Sequence, residues 1–189
     1  MQDKREKKRK TMIAIFIAAV MILSTAGFII GQSSSGSFEY NGYRFVQTAQ
    51  GYKVKVDGKL LYFNYLPTAL ESVSLPADAI AALKNSRVIS ISYEPNSSLV
   101  EGMAQAQFYL EKALSELGIF VQKGLTNSTG YLLQLDCRNA TALSPLVLIS
   151  EGSEGADFSE NCLKLSAQNE QEIIMQAERL VYGLTGIMR

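Results

Sequence analysis

From Met12 to Gly31 the chain reads MIAIFIAAVMILSTAGFIIG, twenty residues without an ionisable group. A helix rises 1.5 Å per residue, so a run of this length matches a hydrocarbon core of about 30 Å. The pattern predicts a transmembrane signal-anchor helix over residues 11–31. A polar linker, QSSSGS over 32–37, follows it. Alternation at a period of two then takes over. Tyr52-Lys53-Val54-Lys55-Val56 alternates strictly, which fits a strand with one wet and one buried face. Asn41-Gly42 and Asp57-Gly58 separate short aromatic and β-branched runs, and both dipeptides suit a type I′ hairpin turn. The segment 38–67 therefore reads as an antiparallel meander of three or four strands, closed by Leu66-Pro67, with Phe45, Val54, Val56 and Phe63 facing inward.

Beyond Leu75 the period lengthens. Pro76 ahead of Ala77–Lys84 predicts a short helix with proline in its first turn. The run 87–93 is a strand, and Ser98-x-x-Glu101 reads as a capping box opening a helix through Met103, Ala106, Leu110, Ala113, Leu114 and Leu117. Gly118 ends it and 119–123 forms the next strand, so 87–123 predicts a βαβ unit with parallel strands. Residues 131–136, 146–149 and 162–165 are further strand candidates. Asn169-x-x-Glu172 can cap a last helix whose apolar stripe is Ile173, Ile174, Ala177, Leu180, Val181 and Leu184, with Gly186 terminating it. The fold class is mixed α/β: an N-terminal transmembrane helix, a meander, then an α/β ectodomain over 68–189 with a βαβ unit and a C-terminal helix.

Charge sets the orientation. Residues 1–10 carry six Lys/Arg against two acids and the rest of the chain twelve against sixteen, which hides behind a net charge of zero. The basic tail precedes the apolar run, so the positive-inside bias keeps residues 1–10 cytoplasmic and sends the C-terminal domain across the membrane. Cleavage after Ser24-Thr25-Ala26 is the competing reading, but Phe28-Ile29-Ile30 prolongs the apolar run past that site, as in a retained anchor. In either case the domain is extracytoplasmic. An acidic remainder without a basic stripe in sequence argues against nucleic acid. The absence of histidine removes His-based triads and metal sites, and no cofactor is called for.

Candidate chemistry is sparse. Cys137 and Cys162, the two cysteines, are placed for a structural disulfide outside the cytoplasm. Asn96, Asn127 and Asn139 head N-x-S/T sequons in expected loops and are glycosylation candidates. Glu151, Glu154, Asp157 and Glu160 in EGSEGADFSE read as a solvated acidic loop, with Ca²⁺ binding as the alternative. The meander concentrates aromatics, and its tyrosines, Tyr40, Tyr43, Tyr52, Tyr62 and Tyr65, are the partner-surface candidates. Tyr65-Leu66-Pro67, Ser92-Tyr93-Glu94-Pro95-Asn96, Asn161-Cys162 and the closing run from Arg179 to Ile187 together make the chain resemble uncharacterised single-pass membrane proteins of small archaeal genomes. That resemblance implies a cell-envelope setting and supplies no activity. The expected function is a membrane-anchored, non-enzymatic interaction or envelope-assembly component with a protein partner. The alternatives are a tethered receptor for a ligand or glycan, and a carboxylate-dependent hydrolase.

Overall fold

The computed structural model describes residues 12–13, 15–21, 36–127 and 133–189, in two compact units, Met1–Gly36 and Ser37–Arg189. In the first unit residues 12–13 and 15–21 are helical with exposed side chains. The transmembrane helix expected over 11–31 is not found: among the described residues no helix is long and apolar enough to cross a membrane. The rest of that segment lies outside the described residues.

The second unit opens with the meander. Strands β1 (Ser37–Tyr40), β2 (Tyr43–Thr48), β3 (Gly51–Val56) and β4 (Lys59–Phe63) pair antiparallel in chain order. Both two-residue turns have the positive φ that type I′ geometry demands, 49° and 80° at Asn41-Gly42 and 49° and 85° at Asp57-Gly58. Strict alternation sends Phe45, Val54, Val56, Leu61 and Phe63 to one face, where all are buried.

A 3-10 turn (Pro67–Leu70) and helix α1 (Ala77–Lys84) lead into a six-stranded sheet of order β7-β6-β5-β8-β10-β9. Its strands are β5 (Val88–Tyr93), β6 (Phe120–Leu125), β7 (Leu133–Gln134), β8 (Leu146–Glu151), β9 (Gly155–Ser159) and β10 (Cys162–Ala167). Helix α2 (Val100–Glu116) links β5 to β6, which run parallel, so the βαβ unit forms as its pattern predicts. Helix α3 (Glu170–Thr185) closes the chain, with Asn169 Oδ1 accepting from Glu172 N at 3.0 Å and Gly186 at φ 76° past its end.

Helices α2 and α3 lie between the two sheets. Helix α2 touches β4 on one side and β5, β6 and β8 on the other, and α3 packs along α2 and against β10. One buried cluster runs from Phe45 and Phe63 through Leu110, Tyr182 and Ile149, so meander and α/β layer share a single core. The far face of the large sheet has its own cover. Ser92 Oγ donates to the Leu135 carbonyl at 2.6 Å, and Leu135, Leu146 and Cys162 form a small second cluster. The Cys137–Cys162 disulfide, Cα atoms 5.3 Å apart, pins this covering segment to the start of β10.

Two local expectations are corrected. The stretch 151–160 is not a loop: Glu151 ends β8, β9 occupies Gly155–Ser159, and Glu160-Asn161 make the turn into β10 at φ 49° and 63°. Asn161 tolerates the left-handed region, and the usual glycine signal is missing there. The Ser98–Glu101 capping box does not form either. The residue capping α2 is Leu99, whose side chain has no oxygen to accept, while Ser98 Oγ donates to Glu151 and Ser97 Oγ accepts from Leu99 N.

Candidate functional site

The most site-like feature lies where the meander ends. β4 is the last strand of its sheet, and among the described residues only β3 pairs with it. In a two-residue hairpin Val56 and Lys59 form the hydrogen-bonded closing pair, so hydrogen-bonded and non-hydrogen-bonded residues alternate outward from it. The main-chain N–H and C=O groups of Leu60 and Tyr62 consequently point away from β3, along an open edge. Beside that edge is a groove of about 230 Å³. Its walls are Leu60, Tyr62 and Asn64 on one side and Gln105, Phe108, Tyr109 and Lys112 of α2 on the other, with Ile174 of α3 also lining it. Phe108 is 62% and Tyr62 50% exposed, unusual for large apolar rings, and the Lys112 ammonium sits 5.7 Å from the Tyr62 ring centroid.

Next to the groove, α3 grips the end of β4. Glu178 is fully buried, and its carboxylate accepts from Asn64 N (2.7 Å), Asn64 Nδ2 (2.6 Å) and Tyr65 N (2.9 Å). One turn on, Tyr182 Oη donates to the Tyr65 carbonyl at 2.7 Å. Spacing of four on a helix puts both side chains on one line, so Tyr65 is held by both its main-chain groups. The Tyr182 ring stacks on Phe63 with centroids 4.0 Å apart. Burial raises Glu178 from 4.5 to about 7, against the lowering pull of its three donors. Burial first, and the Glu178 charge second, push the Tyr109 phenol well above its usual value, and its buried hydroxyl has no hydrogen-bond partner among the described residues. Arg179, the next residue, points elsewhere: Nε donates to the Val73 carbonyl at 3.1 Å and Nη2 to the Arg189 main-chain oxygen at 3.0 Å.

The sequence candidates are scattered around this centre. Tyr62 lies on the groove; Tyr40, Tyr43, Tyr52 and Tyr65 are half-buried and pack on the core. Tyr40 Oη donates to Glu71 at 3.3 Å. Asn96, Asn127 and Asn139 are all exposed, and Asn139 Oδ1 accepts from Asp136 N in the 3-10 turn Cys137–Asn139. Of the four acids in 151–160, Glu151 accepts from Ser97 Oγ (2.6 Å), Ser98 N (3.1 Å) and Ser98 Oγ (3.0 Å), and the serine hydroxyls are the main reason its carboxyl is lowered. That carboxylate fills the strand-to-helix mouth where open α/β sheets take anions. Asp157 sits opposite Lys164 on β10. Among the described residues no group of three or more acids, cysteines or histidines is arranged to hold a metal ion.

Glu178 and Arg179 were not legible as buried groups, since both fall outside the apolar stripe of their helix. One signal does exist. Leu180-Val181-Tyr182-Gly183-Leu184 is apolar through more than a full turn, and a helix without a polar side is enclosed. No family model, no curated protein and no solved structure matches the chain.

Proposed function

We propose that this chain is a membrane-anchored, extracytoplasmic interaction component, non-enzymatic, that takes an extended segment of a partner protein along β4. The open edge of β4 beside an apolar groove is the observation that carries the reading. A peptide strand laid there would pair with the outward main-chain groups of Leu60 and Tyr62 and seat alternate side chains against Phe108 and Ile174. Edge strands of this kind are usually blunted by charge, proline or a covering element, and β4 offers only Lys59 at its first residue. The groove lining contributes Lys112 and Glu116 as its charged side chains and no nucleophile set beside a base, so recognition fits it better than turnover. The basic tail and the twenty-residue uncharged run support the anchor and its orientation.

The test is a photo-crosslinking amino acid at Phe108 in native membranes, with Lys84 as a remote control position. A discrete adduct at 108 and none at 84 is expected. Equal, diffuse labelling at both positions removes the proposal.

A further inference from the structure

The meander has an outer face as well as the β4 edge; the two share Leu60 and Tyr62, but the face has its own chemistry. The register pairs Val46 with Lys53, whose other neighbour is Tyr62, and Phe45 with Val54, so one step further along the strands Arg44 comes beside Lys55, whose other neighbour is Leu60. Residues two apart on a strand share a face, so Arg44, Lys53 and Lys55 converge on the side away from the core. Arg44 and Lys55 are exposed and Lys53 is half-buried. Glu39, across from Arg44, is the single acid on this face, and none of the three bases has an ion pair among the described residues. Residues 38–65 hold four bases against two acids, whereas 66–189 hold eight against fourteen. The domain is thus polarised, positive at the meander and negative elsewhere.

We infer that the outer face of the meander lies on the anionic headgroups of the bilayer that holds the anchor. This rests on the anchor reading above. Chain length makes the contact reachable: the five residues 32–36 between the apolar run and the start of β1 span at most about 18 Å. Charge complementarity selects the occupant. Each base near an anionic surface strengthens attachment roughly fivefold, and like-charge repulsion turns the acidic remainder away. Tyr62 and Leu60, exposed on the same face, have the character that suits the headgroup boundary. Lying flat in this way leaves the β4 edge directed sideways, toward partners in the same membrane.

Amine acylation reads this face in the unaltered full-length chain. The protein is reconstituted in nanodiscs of anionic or of zwitterionic lipid, labelled with an uncharged acylating reagent, and mapped by mass spectrometry. Expected is at least fivefold slower acylation of Lys53 and Lys55 on anionic lipid, lost in high salt, with exposed Lys84 and Lys164 unchanged as internal references. Equal rates on both lipids, or equal protection by both, overturn the inference while leaving the anchor intact. Protection that persists in detergent and grows with protein concentration assigns the face to a second copy and also overturns it. A chain that washes off the nanodisc in high salt overturns the anchor, and this face with it.

Discussion

Replacing Glu178 by Gln tests whether the grip of α3 on the end of β4 carries a buried titrating group. Its carboxyl is raised from 4.5 to about 7, chiefly by burial. A carboxyl that holds its proton more tightly folded than unfolded stabilises the fold fully below pH 4.5. As pH rises the unfolded chain ionises first, and stability falls until the folded carboxyl has also ionised, a little above pH 7. A shift of this size corresponds to about 3 kcal/mol. Gln keeps the shape and cannot ionise, so that portion of the decline disappears. The substitution has its own cost. Oε1 can still accept from both Asn64 donors, but an amide NH₂ at the Oε2 position would face Tyr65 N–H, leaving donor against donor at about 1–3 kcal/mol. The variant is therefore expected to be less stable than wild type at pH 4.5 and comparable to it at pH 8. Urea unfolding of residues 37–189, which contain the whole core, at half-unit pH steps measures this. Other carboxylates titrate in both proteins and cancel in the difference. Parallel stability profiles for the two between pH 4.5 and 8 would refute the reasoning.

Two stability changes follow from other parts of the fold. The Cys137→Ser, Cys162→Ser pair opens a loop with a sequence separation of 25 and is expected to cost about 3 kcal/mol in urea unfolding under oxidising conditions; an unchanged midpoint counts against the disulfide's stabilising role. Gly102→Ala should gain up to about 1 kcal/mol from helix propensity alone, but its Cβ would lie 2.7 Å from Glu170 Cγ and 2.8 Å from Glu170 Cβ, where α2 meets the start of α3. Net destabilisation of about 1–2 kcal/mol is expected, and a stabilised variant would show that the two helices separate freely.

Local grammar was the readable part of the chain. Asn-Gly and Asp-Gly turns, strict alternation on β3, and the cap and terminating glycine of α3 each state their conformation within a few residues, and each is found where its residues imply. The failures share a cause. Ser98-x-x-Glu101 has the letters of a capping box, but its serine hydroxyl donates to Glu151, 53 residues away, and a partner at that separation leaves no local trace. The hairpin β9–β10 was hidden because its turn is Glu160-Asn161, and because the acids preceding it lower the apparent strand propensity. Neither sheet order nor the position of α3 between two sheets can be read from periodicity, which reports one buried face at a time.

That enclosure is what joins the site to the fold. A helix covered on one side only could carry Glu178 and Arg179 in water, where neither would hold anything. Enclosed between sheets, each must find partners or bear the cost of an unpaired buried charge. Glu178 finds them in main-chain groups at the exit of β4, and Arg179 finds two, at Val73 and Arg189, while its buried Nη1 has none among the described residues. At the end of β4 the meander would otherwise meet the α/β layer through apolar contact, which sets proximity but not register. Another polar tie is distant from it, Asn41 Nδ2 donating to the Ile187 carbonyl at 2.9 Å. Three hydrogen bonds to one carboxylate, with Tyr182 a turn further on, fix where β4 stops and hold Asn64 and Phe63 in the wall of the groove. The groove is therefore a product of the buried polar cluster. Its geometry should respond to the ionisation of Glu178, whereas the outer meander face, resting on strand register alone, should not.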